Sequence, residues 1–225
     1  FKGFHLRLSI PVAVKVMVST VRGAQTPLLN EARISARINH PNVVRIYDLG
    51  KEHDFFFIIQ EYVDGKTIKD LVSETHDNKP ISEQFVLNVG CDIARGLAAI
   101  HAAGYLHCDI KPTNIIISAD NGMAKLLDFG IAQYRELLFD GDKRKQIIID
   151  DEWVSGTPGY IAPERIKGQV ASQAVDIYGL GVVLYEMLSG KLAFEAPSTM
   201  ALLHQQVICQ LPDIGALRPN LSSAT

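Results

Sequence analysis

The residues best suited to chemistry lie in one short run, His107-Cys108-Asp109-Ile110-Lys111-Pro112-Thr113-Asn114, where an acid, a cation and an amide fall within six residues. Asp109 can sit near an attacking hydroxyl, and Asn114 can hold a cation through its side-chain oxygen. Alone, such a spacing of Asp and Asn is more often a polar turn stabilised by its own side chains. Asp128-Phe129-Gly130 sets a carboxylate before an apolar anchor and a flexible glycine, a suitable place to hold Mg2+ through hard oxygen ligands. That tripeptide alone is commonly just a turn. Lys15 is the only charge in the run Val-Ala-Val-Lys-Val-Met-Val. A lone strand lysine usually points to solvent, and Glu31 would by default sit on an outer helix face. Their case is joint: a lysine turned inward to phosphates needs a carboxylate from a neighbouring helix to fix it.

The elements that position these groups follow from periodicity. Residues 12–18 are short and β-branched, which predicts a strand. Residues 27–39 carry Leu28, Leu29, Ala32, Ser35, Ala36 and Ile38 on or near one face. Pro27 suits a first helical turn and His40-Pro41-Asn42 a stop, so one helix is predicted there. Residues 43–49 and 55–62 predict two more strands, joined by a polar turn through Gly50 and Asp54. A turn-like hinge follows at Val63-Asp64-Gly65-Lys66. Val86, Val89, Ile93, Leu97 and Ile100 predict a helix with one buried stripe, with Ser82 as its N-cap and Gly104 as its stop. Residues 115–118 and 124–127 predict a hairpin through Asp120-Asn121-Gly122. Residues 131–161 show no clear period, which suits a functional loop or a mobile one. Residues 176–189 are apolar nearly all round and predict a helix buried on every side, ended by Gly190.

Composition narrows the classes further. Of 225 residues, 47% are hydrophobic and 21% charged, enough apolar mass for one large domain or two small lobes. A formal net charge of -3 leaves neither a nucleic-acid nor an anionic-membrane footprint. Cys91, Cys108 and Cys209 are widely spaced without a CxxC pair, which predicts no disulfide framework, no zinc site and a reducing cytoplasmic setting. No run of about 18 apolar residues occurs, and the greasiest stretch, 177–188, is interrupted by Tyr185 and Glu186. The first residues hold neither an initiator Met nor a signal-peptide pattern, so the chain reads as cut from something longer.

Taken together, six stretches resemble the eukaryotic-type (Hanks-type) serine/threonine protein kinase catalytic domain, in family order and with family-like gaps. They are Val-Ala-Val-Lys ending at Lys15, Glu31, the 107–114 run, Asp-Phe-Gly at 128–130, Gly-Thr-Pro-Gly-Tyr-Ile-Ala-Pro-Glu at 156–164, and Asp-Ile-Tyr-Gly-Leu-Gly from Asp176. The resemblance implies an α+β bilobal fold, with an antiparallel-sheet N-lobe carrying one helix over 1–62 and a larger, mainly helical C-lobe over 63–225. It implies transfer of the ATP γ-phosphoryl to a protein Ser or Thr hydroxyl, with Mg2+, or Mn2+ in its place. Lys15 would contact the α- and β-phosphates and pair with Glu31. Asp109 would be the base, Lys111 would lie beside the transferred phosphoryl, and Asn114 and Asp128 would hold the metal. The backbone from Glu61 to Val63 would meet adenine, with Gln60 limiting pocket depth. His107 and Phe129 would join an internal apolar stack, and Asp176 would bond the catalytic-loop backbone. Ser155, Thr157 and Glu164 fall in the segment that receives the protein substrate, with Thr157 bonded to Asp109 and Lys111. Lys111 and that segment favour a serine/threonine protein kinase over a tyrosine kinase or a small-molecule phosphotransferase.

Three departures from the family pattern matter. The Gly-rich phosphate loop is absent, since Phe1-Lys2-Gly3 resembles the strand just after it. The chain stops before the final helices and before the Arg that usually pairs with Glu164, a loss expected to cost roughly 3–5 kcal/mol for a truly buried pair. Cys108 replaces the Arg that usually reads an activation-loop phosphate, so activation is expected to depend less on phosphorylation within 131–161; the plainer account is a tolerated buried residue. A catalytically weak pseudokinase acting as a scaffold is the rival function. The run Asp150-Asp151-Glu152 near Lys143-Arg144-Lys145 reads as solvated loop charge or as a local latch.

Overall fold

The computed structural model describes residues 1–18, 38–53, 55–74, 81–127, 133–134 and 157–222. Its first part is a four-stranded antiparallel sheet in the order β1-β2-β4-β3. The strands are β1 (Lys2–His5), β2 (Ile10–Val18), β3 (Ile46–Glu52) and β4 (Phe55–Glu61). β2 and β4 are rich in β-branched and aromatic residues, which fit a pleated, half-buried surface. Their register sets Lys15 opposite Ile58, which is 3% exposed. Directly opposed residues of an antiparallel pair share a face, so Lys15 points to the side of Ile58 and is half-buried. The solvent-facing default for a strand lysine does not hold here.

Two details of this sheet differ from expectation. The strand predicted from residue 43 begins at Ile46. Val43 and Val44 are buried instead beside a distant hairpin, where Val44 N donates to Leu126 O at 2.9 Å and Leu126 N donates to Asn42 O at 2.9 Å. An apolar pair in a buried crossing segment has the same signature as a strand start. Gly50 lies inside β3 rather than in the turn, because the Phe57 ring of β4 covers it; a Cβ there would stand 2.1 Å from that ring. Asp54, Glu31 and the predicted helix up to residue 37 lie outside the described residues, and Ile38 and Asn39 carry no regular element.

Past Glu61, residues 62–64 are irregular and lead into a mainly helical part. It opens with β5 (Gly65–Thr67), α1 (Ile68–Glu74), α2 (Glu83–Ala102) and β6 (Tyr105–Leu106). A 3-10 turn (Pro112–Asn114) then precedes β7 (Ile115–Ser118), β8 (Ala124–Leu126) and β9 (Gln133–Tyr134). The last described elements are α3 (Pro163–Ile166), α4 (Ala174–Ser189), α5 (Thr199–Ile208) and α6 (Ile214–Leu217). Strands β5, β7 and β8 form one small sheet, and β6 pairs with β9. Gly65, expected in a hinge turn, is the first residue of β5 and is required by close approach: a Cβ would lie 1.9 Å from the Ile117 carbonyl oxygen. Gly65→Ala should therefore cost about 1–3 kcal/mol through forced backbone shifts, read as a lower midpoint in urea unfolding at unchanged slope.

The caps of α2 agree with the sequence. Ser82 accepts from Phe85 N, and Gly104 follows the last turn at φ 87. Its buried stripe of Val86, Val89, Ile93, Leu97 and Ile100 packs in one core with α4 and the β7–β8 hairpin. Each such side chain stabilises the fold by about 1.5–3 kcal/mol relative to exposure. By length and composition α2 is also apolar enough to cross a membrane, yet here it is a core helix. Helix α4 is not buried on every side. Val182, Val183 and Met187 face the core, whereas Ile177 is 54% exposed and Gly181 is exposed with it. Residues four apart share a helix face, so this is one stripe turned outward. Gly190 ends α4 in the left-handed conformation at φ 68.

Candidate active site

The run from His107 to Lys111 has no regular structure of its own, and α4 supports it from beneath. Asp176 is 1% exposed. Its Oδ2 accepts from His107 N at 2.9 Å and lies 2.7 Å from His101 Nε2, while Oδ1 accepts from Cys108 N at 2.7 Å. These bonds hold Cys108 in the left-handed region at φ 63, a conformation that costs a non-glycine residue about 1–3 kcal/mol. Gly179 of the same helix lets the loop come close, since a Cβ there would be 3.0 Å from Ile110 Cβ.

The Asp176 carboxyl titrates below the usual carboxylate range. Burial pushes it up, but the hydrogen bond from His101, the electrostatic influence of His107 and the N–H groups of His107 and Cys108 outweigh that. A depressed folded pKa contributes stability above the unfolded carboxylate range, and that stability is lost as pH falls through the folded value. The thermal midpoint should therefore drop as pH falls below about 4. Thermal unfolding from neutral to acid pH checks this, and Asp176→Asn should flatten the acid limb.

Above this support four side chains converge. Lys111 Nζ lies 2.7 Å from Asp109 Oδ2 and donates to Thr157 Oγ1 at 2.9 Å. Thr157 Oγ1 donates to Asp109 Oδ1 at 3.4 Å, which closes a ring. Asn114 Nδ2 donates to Asp109 O at 2.9 Å and to Asp109 Oδ2 at 3.0 Å. Asp109 Oδ2 thus has two close donors, and Oδ1 has the one long contact among the described residues. With both amide hydrogens of Asn114 committed to Asp109, its Oδ1 is turned the other way as a hard oxygen acceptor.

His107 is fully buried and orders the loop from inside. Asp109 N lies 3.3 Å from His107 Nδ1, and His107 Nε2 meets Leu127 O at 3.1 Å. Leu127 N in turn donates to Asn114 O at 2.8 Å. The end of β8 is therefore tied to both His107 and Asn114. Asp128, Phe129, Glu31, Ser155 and the charged residues from Lys143 to Glu152 lie outside the described residues.

At the other end of the site, Glu61 closes β4. Its carboxylate bonds to Lys125 of β8 and accepts from Arg45 N at 3.2 Å, which ties the sheet to the hairpin below. Val63 is half-buried in the irregular run that follows, and Asp64 O accepts from Ala119 N at 2.8 Å. Glu164 is half-buried in the first turn of α3, and its backbone carbonyl accepts from Gln169 N at 2.8 Å. None of the three cysteines is in a disulfide; Cys91 and Cys209 are exposed and Cys108 is half-buried.

Sequence reasoning missed two contacts of the 157–164 segment. Tyr160 donates its hydroxyl to Glu186 Oε2 at 2.5 Å, and burial, then this bond and the carboxylate charge, push the phenol above its usual range. Gln206 donates to Ile161 O at 2.9 Å and accepts from Gly159 N at 3.1 Å. The available signals were weak: a second carboxylate, Glu186, deep in the apolar α4, and a glutamine three residues beyond Leu203 on the buried face of α5.

An aspartate bonded to a lysine and a threonine, carried on a loop between a sheet and a helical part, fits one family. The family model described as "Protein kinase domain" matches residues 1–223. The chain belongs to the protein kinase domain family. The kinase domain is similar to the serine/threonine-protein kinase PknL of Mycobacterium tuberculosis, 34% identical over 220 residues, covering 96% of this chain and 52% of that protein. It is also similar to PknB of Mycolicibacterium smegmatis, 36% identical over 209 residues, covering 90% of this chain and 32% of that protein. With PrkC of Bacillus subtilis it shares 34% identity over 191 residues, 85% of this chain and 28% of that protein. The chain therefore spans about half the length, or less, of these curated relatives. Its sheet and helical part are the two lobes of the protein kinase fold. Kinase domains of this family use ATP and a divalent metal. The described donor at this site, Asn114 Oδ1, is of the hard oxygen type such a metal takes.

Proposed function

We propose that this kinase domain transfers the γ-phosphoryl group of ATP to a serine or threonine hydroxyl of a protein, on the cytoplasmic side of the cell. The observation that carries the reading is the ring of Asp109, Lys111 and Thr157 with Asn114 beside it. In this reading Asp109 Oδ1, the less engaged oxygen, orients the incoming hydroxyl and takes its proton as the oxygen attacks. Lys111 keeps a positive charge beside the group being transferred and, through Thr157, ties the base to the substrate-receiving segment with Ser155 and Glu164. Lys15, fixed by Glu31, reaches the α- and β-phosphates from the inner face of β2. The backbone from Glu61 to Val63 holds adenine, and the lobes divide at residues 62 and 63. Asn114 and Asp128 would hold Mg2+, or Mn2+ in its place. Once bound, the metal neutralises charge on the phosphates. The protein's share is positioning and electrostatic stabilisation of a loose, charged transition state.

The test is transfer of labelled γ-phosphate by the full-length protein to dephosphorylated casein, with Asp128→Asn as control. Transfer that the variant loses supports the reading. Absence of transfer with either Mg2+ or Mn2+ sinks it in favour of a scaffold role.

Cys108 bears on regulation in the same reading. A thiol cannot make the charge-assisted bonds by which an Arg reads a phosphate. Activity should therefore survive Ser155→Ala within about threefold. Loss of activity in that variant, restored by Ser155→Asp, would show phosphate-dependent activation after all.

A further inference from the structure

Gln206 is 2% exposed, and with Leu203 it makes up the buried face of α5. The outer face of that helix is open, with Met200 73% and Ile208 62% exposed. For packing alone an apolar residue would serve at position 206, since a buried amide is unfavourable unless its groups are bonded. Both groups are bonded to one short piece of backbone, and the Tyr178 side chain of α4 also interacts with the amide. The amide nitrogen donates to Ile161 O at 2.9 Å and the amide oxygen accepts from Gly159 N at 3.1 Å. Gly159 stands at φ 101, a conformation that other residues rarely adopt. The residue between them, Tyr160, is held by Glu186 at 2.5 Å.

This piece of backbone leads straight to the base. Tyr160 N donates to Thr157 O at 3.1 Å, closing a turn from Thr157 to Tyr160. Thr157 Oγ1 then meets Lys111 at 2.9 Å and Asp109 at 3.4 Å. None of the bonds just named involves β2, the 61–63 hinge or Lys15. We propose that Gln206 is a positioning residue for the protein substrate: its amide clamps Gly159 and Ile161, and so sets the surface that receives the acceptor while leaving the ATP end alone. The proposal rests on the protein-kinase reading above.

The experiment compares wild type and Gln206→Met, near in size but without the amide, in the full-length protein. Two acceptors are used with labelled ATP: dephosphorylated casein, and water as slow ATP hydrolysis. Gln206→Met should raise the KM for casein by about tenfold, with the KM for ATP and the hydrolysis rate within about twofold of wild type. Gln206→Asn keeps both groups one methylene short and should fall between; it carries the test if Gln206→Met does not fold. An unchanged casein KM in the folded variant overturns the proposal, as does an equal loss in both reactions, the mark of a merely structural role. A wild type that transfers no label to casein overturns the protein-kinase reading and this proposal with it.

Discussion

Asp109→Asn is expected to lower kcat for protein phosphorylation by about 10^2 to 10^4, with the KM for ATP within about threefold. The asparagine keeps the size of the side chain and a carbonyl to accept from Lys111 or Asn114, so the loop should stay folded. In the proposed reading it removes the proton acceptor, and it replaces a negative charge with a dipole. In the wild type, Asp109 Oδ2 is occupied by Lys111 at 2.7 Å and Asn114 at 3.0 Å, which leaves Oδ1 for the incoming hydroxyl. An amide turned to satisfy Lys111 would place its NH2 where Oδ1 stood and present a donor to a donor. Steady-state kinetics with casein and ATP check this. A kcat within about threefold of wild type would mean that the hydroxyl loses its proton without Asp109.

Asp176→Asn should have the largest effect on stability. Three donors converge on this carboxylate from His101, His107 N and Cys108 N, and it is almost wholly buried. An amide puts its own hydrogens against at least one of them, and losing a buried, hydrogen-bonded charge of this kind costs about 3–5 kcal/mol. For a chain of this size that is a fall in Tm of very roughly 6–20 °C. The effect should not be confined to stability. Cys108 is held at φ 63 by bonds to this carboxylate, and Asp109 is the next residue. If the backbone relaxes there, Asp109 moves, and on the proposed reading kcat measured well below the Tm should fall about tenfold or more. Calorimetry and kinetics on one preparation separate the two effects. An unchanged Tm would contradict the account of α4 as the support of the catalytic loop.

What the sequence made legible was local. Ser82, Gly104 and Gly190 ended their helices as capping chemistry requires, and Asp120-Asn121-Gly122 turned the β7–β8 hairpin, with Gly122 at φ 70. The convergence of side chains in the 107–114 run was legible for the same reason: the loop is short, so Asp109, Lys111 and Asn114 had little room to be far apart. Contacts between distant segments were not. Val43 and Val44 looked like a strand because nothing near them shows that their partner is Leu126. Gly50 and Gly65 looked like turn glycines, whereas the Phe57 ring and the Ile117 carbonyl are what exclude a side chain there. Tyr160 with Glu186, and Gln206 with Gly159 and Ile161, join residues 26 to 47 positions apart. Periodicity along one element carries no record of such pairs. The inward turn of Lys15 needed the register opposite Ile58 before it could be read.

The central claim is that the ring of Asp109, Lys111 and Thr157 serves transfer to a serine or threonine hydroxyl. It is tested most directly by the identity of the residue that becomes labelled. Casein phosphorylated by the full-length protein with labelled ATP would be hydrolysed and its phosphoamino acids separated. The account predicts label in phosphoserine and phosphothreonine. Label in phosphotyrosine, or label released only as inorganic phosphate, would contradict it.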